Sequence, residues 1–234
     1  MARQTRAPGE KPLFWVASSK NDLMDFPEAV RNEISHALAV AQYGGKHPKA
    51  KPWKGEGSGV LEIVEDYRTD TYRAVYTVKF ESAVYVLHAF QKKSTTGAKT
   101  NFADVRLISQ RLKLQRKITR FAMPKRKLSS TSVVPSSGNV FADLGLPDAE
   151  ERQTKVRLAV AINQIIEGMG LSQTAAAERL HLNQPKISAL ANYRLSGFSV
   201  ERLIHFLNAL GRDVEIVIRK PPSGRTGKVQ VRVA

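Results

Sequence analysis

Leu171-Ser-Gln-Thr-Ala-Ala-Ala-Glu-Arg-Leu-His-Leu-Asn-Gln-Pro-Lys-Ile-Ser-Ala-Leu190 decides the reading of the second half of this 234-residue chain. Ser172 stands where it caps a short helix reaching Leu180, and Asn183 where it caps another through Asn192, with Pro185 tolerated in the first turn. A three-residue turn joins the two. Ala177 is small where the helices must approach closely, and Leu180, Ile187 and Leu190 are apolar. Helices this short are not stable alone, so packing must hold their inner faces while the outer faces stay free. The free face carries Gln184, Lys186, Ser188 and Asn192, with Gln173 opening the first helix. Such side chains bond base edges and phosphates in a major groove. The bland alternative is a helical hairpin with a solvated polar face. Helix lengths, turn length and caps agree together, which favours the first reading.

Outward from this stretch, helical spacing continues. Asp148 is expected to cap a helix to about Met169, with Leu158, Ile162, Ile165 and Ile166 inward and Gly170 ending it. Ser199 caps another, striped by Val200, Leu203, Ile204, Leu207 and Leu210 and stopped by Gly211. Residues 214–219 and 228–233 alternate like two late strands.

The first half has a different rhythm. A short strand is expected over 13–17, then a helix from Pro27 to about Gln42 with Val30, Ile34, Leu38 and Ala41 on one stripe, stopped by Gly44-Gly45. The stretch 46–59 reads as a loop. Strands over 60–67, 71–80 and 83–90 follow with short turns between them, then a helix from Asn101 to about Leu114. This is an α+β pattern with a small antiparallel sheet. Residues 116–137 are basic and then rich in Ser and Pro, as linkers are. The expected organisation is two domains, 1–115 and 138–234, with 116–137 between them.

Composition narrows the chemistry. There are 37 Lys and Arg against 21 Asp and Glu, a formal charge of +16, and no cysteine. Disulfides and Cys-type zinc sites are excluded. Both halves are basic: 21 cationic residues against 12 acidic before Met123, and 16 against 9 from there on. Polyanions are the natural partners. No apolar run reaches the ~18–20 residues of a membrane helix, and no signal-peptide core follows Met1. The cytoplasm is therefore the expected compartment, with no membrane partner. No paired carboxylates or nucleophile motif stand out, and neither a metal nor a cofactor is expected.

The first half instead concentrates cations around its strands. Lys51 and Lys54 precede them, and Arg68 sits at the first turn. Arg73 interrupts an apolar strand, His88 lies on the last, and Lys92-Lys93 leave its end. Arg73 either pairs with Glu62 or Asp66 for structural reasons or handles phosphate. Metal-free RNA cleavage needs a base for the 2′-OH, charge neutralisation at phosphorus and an acid for the leaving oxygen. The arginine fork suits the second task; Lys or His among other cations suits the others.

Gln173…Ala177…Gln184…Ile187-Ser188 resembles the helix-turn-helix of the Xre (Cro/C1-like) family. Its surroundings, Ser137–Ala149 and Leu195–Ile216, resemble antitoxins of HigA type. His181 stands where that family usually has Gly, at a turn position that tends to need φ > 0. Lys51-Pro-Trp-Lys-Gly55, Tyr67-Arg-Thr-Asp-Thr-Tyr-Arg-Ala-Val-Tyr76 and Val86-Leu-His-Ala-Phe-Gln-Lys-Lys-Ser94 resemble the phage-derived branch of RelE/HigB-type toxins. That resemblance implies a RelE-like fold and a ribonuclease acting on mRNA at the ribosome. Arg73, Lys92 and Lys93 match by motif; Arg68, Lys51, Lys54 and His88 match more loosely. Together the two resemblances imply a fused toxin–antitoxin chain. Its antitoxin lobe would bind operator DNA as a homodimer and hold the toxin lobe through Phe141, Leu144 and Leu146. A repressor with an inactive RelE-like lobe, or a join of two polypeptides at Met123, stays open.

Overall fold

The computed structural model describes residues 10–54, 59–78, 83–92, 101–121 and 133–220, with Gly227, Val229, Val231 and Arg232 beyond; side chains of residues 116–121 lie outside that description. The first part runs β1 (Leu13–Val16), α1 (Ser19–Met24), α2 (Glu28–Gln42), β2 (Ala50–Pro52), β3 (Val60–Tyr67), β4 (Asp70–Thr77), β5 (Val84–Lys92) and α3 (Phe102–Phe121). The second runs β6 (Val133–Pro135), α4 (Val140–Asp143), α5 (Ala149–Gly168), α6 (Gln173–Arg179), α7 (Gln184–Ala191) and α8 (Val200–Ala209). Pro27 opens α2 with its ring-fixed φ of −53°, and Gly44 at φ +79° leaves it.

One sheet contains all six strands in the order β2-β3-β4-β5-β1-β6. It is antiparallel except that β1 lies parallel to β5. Residues directly opposite one another share a face of a sheet. The registers Lys51↔Glu62, Glu62↔Val75, Val64↔Arg73, Val75↔His88, Arg73↔Phe90 and Thr71↔Lys92 therefore place these side chains on one face. A bulge makes this possible. Val75 opposes His88 but Tyr76 opposes Val86, so Leu87 is an extra residue and the alternation of β5 changes phase there. Val84 and Val86 turn to one core, while His88, Phe90 and Lys92 turn to the other face.

Each face has its own core. Ile63, Tyr72, Ala74, Tyr76, Val84 and Val86 pack toward Val30, Ile34 and Leu38 of α2, and that core continues into Phe141, Leu144, Val160, Leu190 and Leu203 of the second part. Val60, Val75, Leu87 and Phe90 pack with Trp53 and with Ile108 and Leu112 of α3 on the opposite face.

Five expectations are corrected. The stretch 46–59, expected as a loop, contributes β2 at Ala50–Pro52, paired with β3. The helix expected to stop near Leu114 continues to Phe121. The tract expected as linker contributes β6, pairing Phe14↔Pro135, Trp15↔Val134 and Val16↔Val133; residues 122–132 lie outside the described residues. Asp148 occupies the N-cap of α5 in a left-handed conformation, φ +51°, and its side chain makes no capping bond; a side-chain cap needs extended backbone to aim back at the first turn. The late strands are not found among the described residues. Residues 212–220 have no regular structure, and the described residues of 228–233 are not in a strand. Alternation permits pairing, but a strand exists only where an edge receives it. Ser172, Asn183 and Ser199 do accept the expected cap bonds, from the amides of Ala175, Lys186 and Arg202.

Candidate functional site

The cationic face of the first part is assembled by β2 to β5. Arg73 Nη1 donates to Glu62 Oε2 at 2.8 Å, and the Arg73 side chain is only 17 % exposed. Its Nε is buried with no partner among the described residues, so the fork retains donor capacity. Lys92 shares the face at the end of β5, and Lys51 shares it from β2, where it is exposed. Lys54 is exposed just after β2. Arg68 stands apart at the β3–β4 turn with φ +55°, its guanidinium 5.3 Å over the Tyr67 ring. Lys93 lies outside the described residues.

His88 is enclosed rather than presented. It is 8 % exposed, stacks on Phe90 at 5.2 Å, and Phe90 meets Trp53 edge-on at 6.4 Å. Its Nδ1 lies 3.0 Å from Asp22 Oδ2 and its Nε2 3.3 Å from Asp104 Oδ1. Arg111 donates to Asp22 at 3.2 Å, to the Leu87 carbonyl at 2.8 Å and to Ser18 Oγ. Burial would raise the Asp22 carboxyl, but hydrogen bonds from His88, Ser18 and Arg111 hold it below its ordinary value. Whichever ring nitrogen carries the proton, a carboxylate accepts it. Such a ring positions strand and helix and leaves no free nitrogen for substrate. Asp22, Asp104 and Arg111 were not foreseen, because α1, β5 and α3 meet only in the fold.

In the second part, α6 and α7 meet at the turn with His181 at φ +51°, the left-handed value the sequence implied. Gln173 and Gln184 are exposed at the starts of the two helices. Lys186 is half-buried: Nζ lies 3.4 Å from the Gly197 carbonyl and 5.3 Å over the Phe198 ring, reaching over a residue that has no Cβ to obstruct it. Asn192 turns back to donate to the Ser188 carbonyl at 2.7 Å. Of the five residues expected to contact DNA, Gln173 and Gln184 are thus the exposed ones, while Lys186, Ser188 and Asn192 already have partners within the domain.

A family model described as "Helix-turn-helix domain" matches residues 140–219. One described as "Phage derived protein Gp49-like" matches residues 21–113. A solved structure described as an XRE family transcriptional regulator is 63 % identical, aligned over 38 % of this chain and 100 % of its own, with a TM-score of 0.36. Among curated proteins, none matches. The chain carries a Gp49-like domain followed by an XRE-type helix-turn-helix domain.

The Gp49-like and helix-turn-helix domains meet along α2 and β1. Phe141, Leu144 and Leu146 are buried there. Phe141 meets the His36 ring edge-on at 4.9 Å, and Arg31 donates to the Leu144 carbonyl at 2.9 Å. Trp15 Nε1 donates to Asp143 at 3.0 Å, and Arg152 donates to Asn32. Arg157 pairs with Glu10 at 3.3 Å and lies 5.0 Å over the Tyr43 ring. His47 stacks on Tyr193 at 5.9 Å. Burial pushes His47 down to about 4 and lowers His36 as well. These contacts lie on the α2 side of the sheet, opposite the face that carries Arg73. Among the described residues no cluster suited to a metal ion occurs, and no helix is long and apolar enough to cross a membrane.

Proposed function

We propose that this chain is a toxin–antitoxin module in one polypeptide. The Gp49-like domain acts as a RelE/HigB-type endoribonuclease on mRNA at the ribosome. The HigA-type helix-turn-helix domain silences it and represses its own operon by binding operator DNA as a homodimer. The observation carrying this reading is the join itself. β6 completes the sheet of the preceding domain, and Phe141 and Leu144 enter a core continuous with α2. An antitoxin that grips its toxin needs such a surface. Because the grip lies opposite Arg73, inhibition acts at a distance or through ribosome access, not by filling the catalytic face.

In the cleavage step, Arg73 would stabilise charge on phosphorus, while Lys92 and Lys93 bind phosphate and protonate the leaving oxygen. Lys51, Lys54 and Arg68 would hold RNA, and His88 would keep β5 and α3 in place. The test is growth arrest and cleavage of ribosome-bound mRNA by residues 1–121, compared with the full chain and with Arg73→Ala in each. Arrest by the fragment, silence of the full chain and loss with Arg73→Ala are expected. An inert but folded fragment would remove the nuclease reading.

One observation favours a second reading, a repressor whose Gp49-like domain has no catalysis. Arg73 already has a carboxylate partner in Glu62 at 2.8 Å. Glu62→Gln discriminates: it should leave or raise cleavage if Arg73 serves phosphate, and only destabilise the protein if the pair is structural.

A further inference from the structure

The segment that follows α8 is the least expected surface of the molecule. From Asp213 to Lys220 it runs exposed without regular structure. Its aliphatics are bare: Val217 is 54 %, Ile216 77 % and Ile218 94 % exposed. Among the described residues no hydrogen bond joins residues 213–220 to the rest of the chain. An exposed apolar segment whose N–H and C=O groups are open is a hazard unless something pairs with it. β-Branched residues at Val214, Ile216, Val217 and Ile218 give it high strand preference.

We infer that residues 213–219 form an antiparallel strand pair with the same residues of a second copy, which makes this segment the dimer seam of the helix-turn-helix domain. The sequence is complementary to itself in that direction. With the two-fold axis at Ile216, Ile216 meets Ile216, Val214 meets Ile218, and Asp213 meets Arg219, each of the last two pairs occurring twice. Val214, Ile216 and Ile218 then line one face of the ribbon. Centring on Glu215 would instead oppose two carboxylates. The inference rests on the proposed homodimer and specifies where it forms. A second copy is the favoured occupant because one helix-turn-helix reads one half-site and needs a two-fold mate.

The test uses the full chain, whose lack of cysteine makes single-cysteine variants unambiguous. Sedimentation equilibrium should find the wild type at twice 26.0 kDa and the Ile216→Asp/Ile218→Asp variant dissociated by about a hundredfold or more, since each lost contact counts twice at the axis. Ile216→Cys should cross-link to its copy on mild oxidation; Asn208→Cys on α8 should not. The segment lies outside both cores, so circular dichroism and melting of the aspartate variant should match the wild type. A variant that dimerises like the wild type, or no Ile216→Cys cross-link in a wild-type-like dimer, overturns the seam while leaving the homodimer intact. A wild type that stays monomeric with and without operator DNA overturns both.

Discussion

Arg73 is where sequence and structure press hardest on each other. Its place within an apolar strand was visible from residue types alone, and so were two candidate partners, Glu62 and Asp66; the choice of Glu62 is a cross-strand fact that only the fold supplies. Replacing Arg73 by Ala should lower cleavage about 100–1,000-fold, the usual cost of removing a preorganised donor. Arg73→Lys should remain poor because an ammonium lacks the fork. The measurement is single-turnover cleavage by the released domain, with melting to show that both variants fold. His181 yields a prediction of opposite sign. At φ +51° it holds a left-handed conformation that costs a non-glycine residue roughly 1 kcal/mol. His181→Gly should therefore stabilise the helix-turn-helix domain by a few tenths to about 1 kcal/mol, since glycine's extra unfolded-state entropy offsets part of the gain. Urea midpoints of the two proteins decide it. Gly45 works in reverse: a Cβ there would meet Val40 Cγ1 at 2.8 Å and the Tyr193 hydroxyl at 3.1 Å, so Gly45→Ala should loosen the domain contact.

Elements with local grammar were legible. Ser172, Asn183 and Ser199 announced their helices because a cap bond spans three residues. β2 and β6 were not legible: three residues are too few for a period, and β6 sits in a tract whose composition reads as linker. The enclosure of His88 was equally hidden, since Asp22, Asp104 and Arg111 come from two helices that are far apart in sequence and meet only in the fold. The resemblance had offered His88 as catalytic. The fold supports a positioning role, because the Leu87 bulge turns His88, Phe90 and Lys92 onto the face of Arg73. Deleting Leu87 should leave these three side chains opposite Val75, Arg73 and Thr71, because His88 would then follow Val86 in regular alternation; it should still empty a fully buried position of the second core and cost about 2–5 kcal/mol, seen as a lower melting temperature. The contact between α2 and the helix-turn-helix domain has its own pH signature. His47 has a folded pKa of about 4, below its unfolded value near 6.5, so its contribution to stability is full above ~6.5 and lost as pH falls through about 4. The downward shift of His36 adds in the same sense. Full-length protein should lose about 1–3 kcal/mol more between pH 7 and 4.5 than His47→Asn, whose side chain keeps an acceptor for the Lys49 amide. Equal slopes in denaturant titrations across that range would count against the contact as the acid-labile part.

At the scale of the molecule, charge was the most legible property and the least explanatory. A net +16 points to polyanions, yet two basic domains repel, and what joins them is a strand and a buried apolar surface. If the proposed function holds, Phe141→Asp with Leu144→Asp should therefore release nuclease activity in the full chain, read as mRNA cleavage and growth arrest, while operator binding persists. Gln184→Ala should weaken operator binding by roughly 1–3 kcal/mol, more on the cognate site than on random DNA. Lys186→Ala should act partly through the lost contact with Phe198, and gel-shift titrations on both DNAs separate the two effects. β6 has a last consequence, which concerns time. The chain is made from its N-terminus, so β1 to β5 and α3 leave the ribosome before the strand that closes the β1 edge. Between Phe121 and the end of α5 at Gly168 lie 47 residues, which translation at about 5–20 residues per second covers in roughly 2–10 s. During that interval a nascent Gp49-like domain stands beside the very ribosome it is proposed to act on, with one sheet edge open. On the proposed function, fusion limits that exposure to seconds and delivers one inhibitor per toxin without diffusion. Separate genes would leave the same edge waiting for an encounter between two dilute proteins.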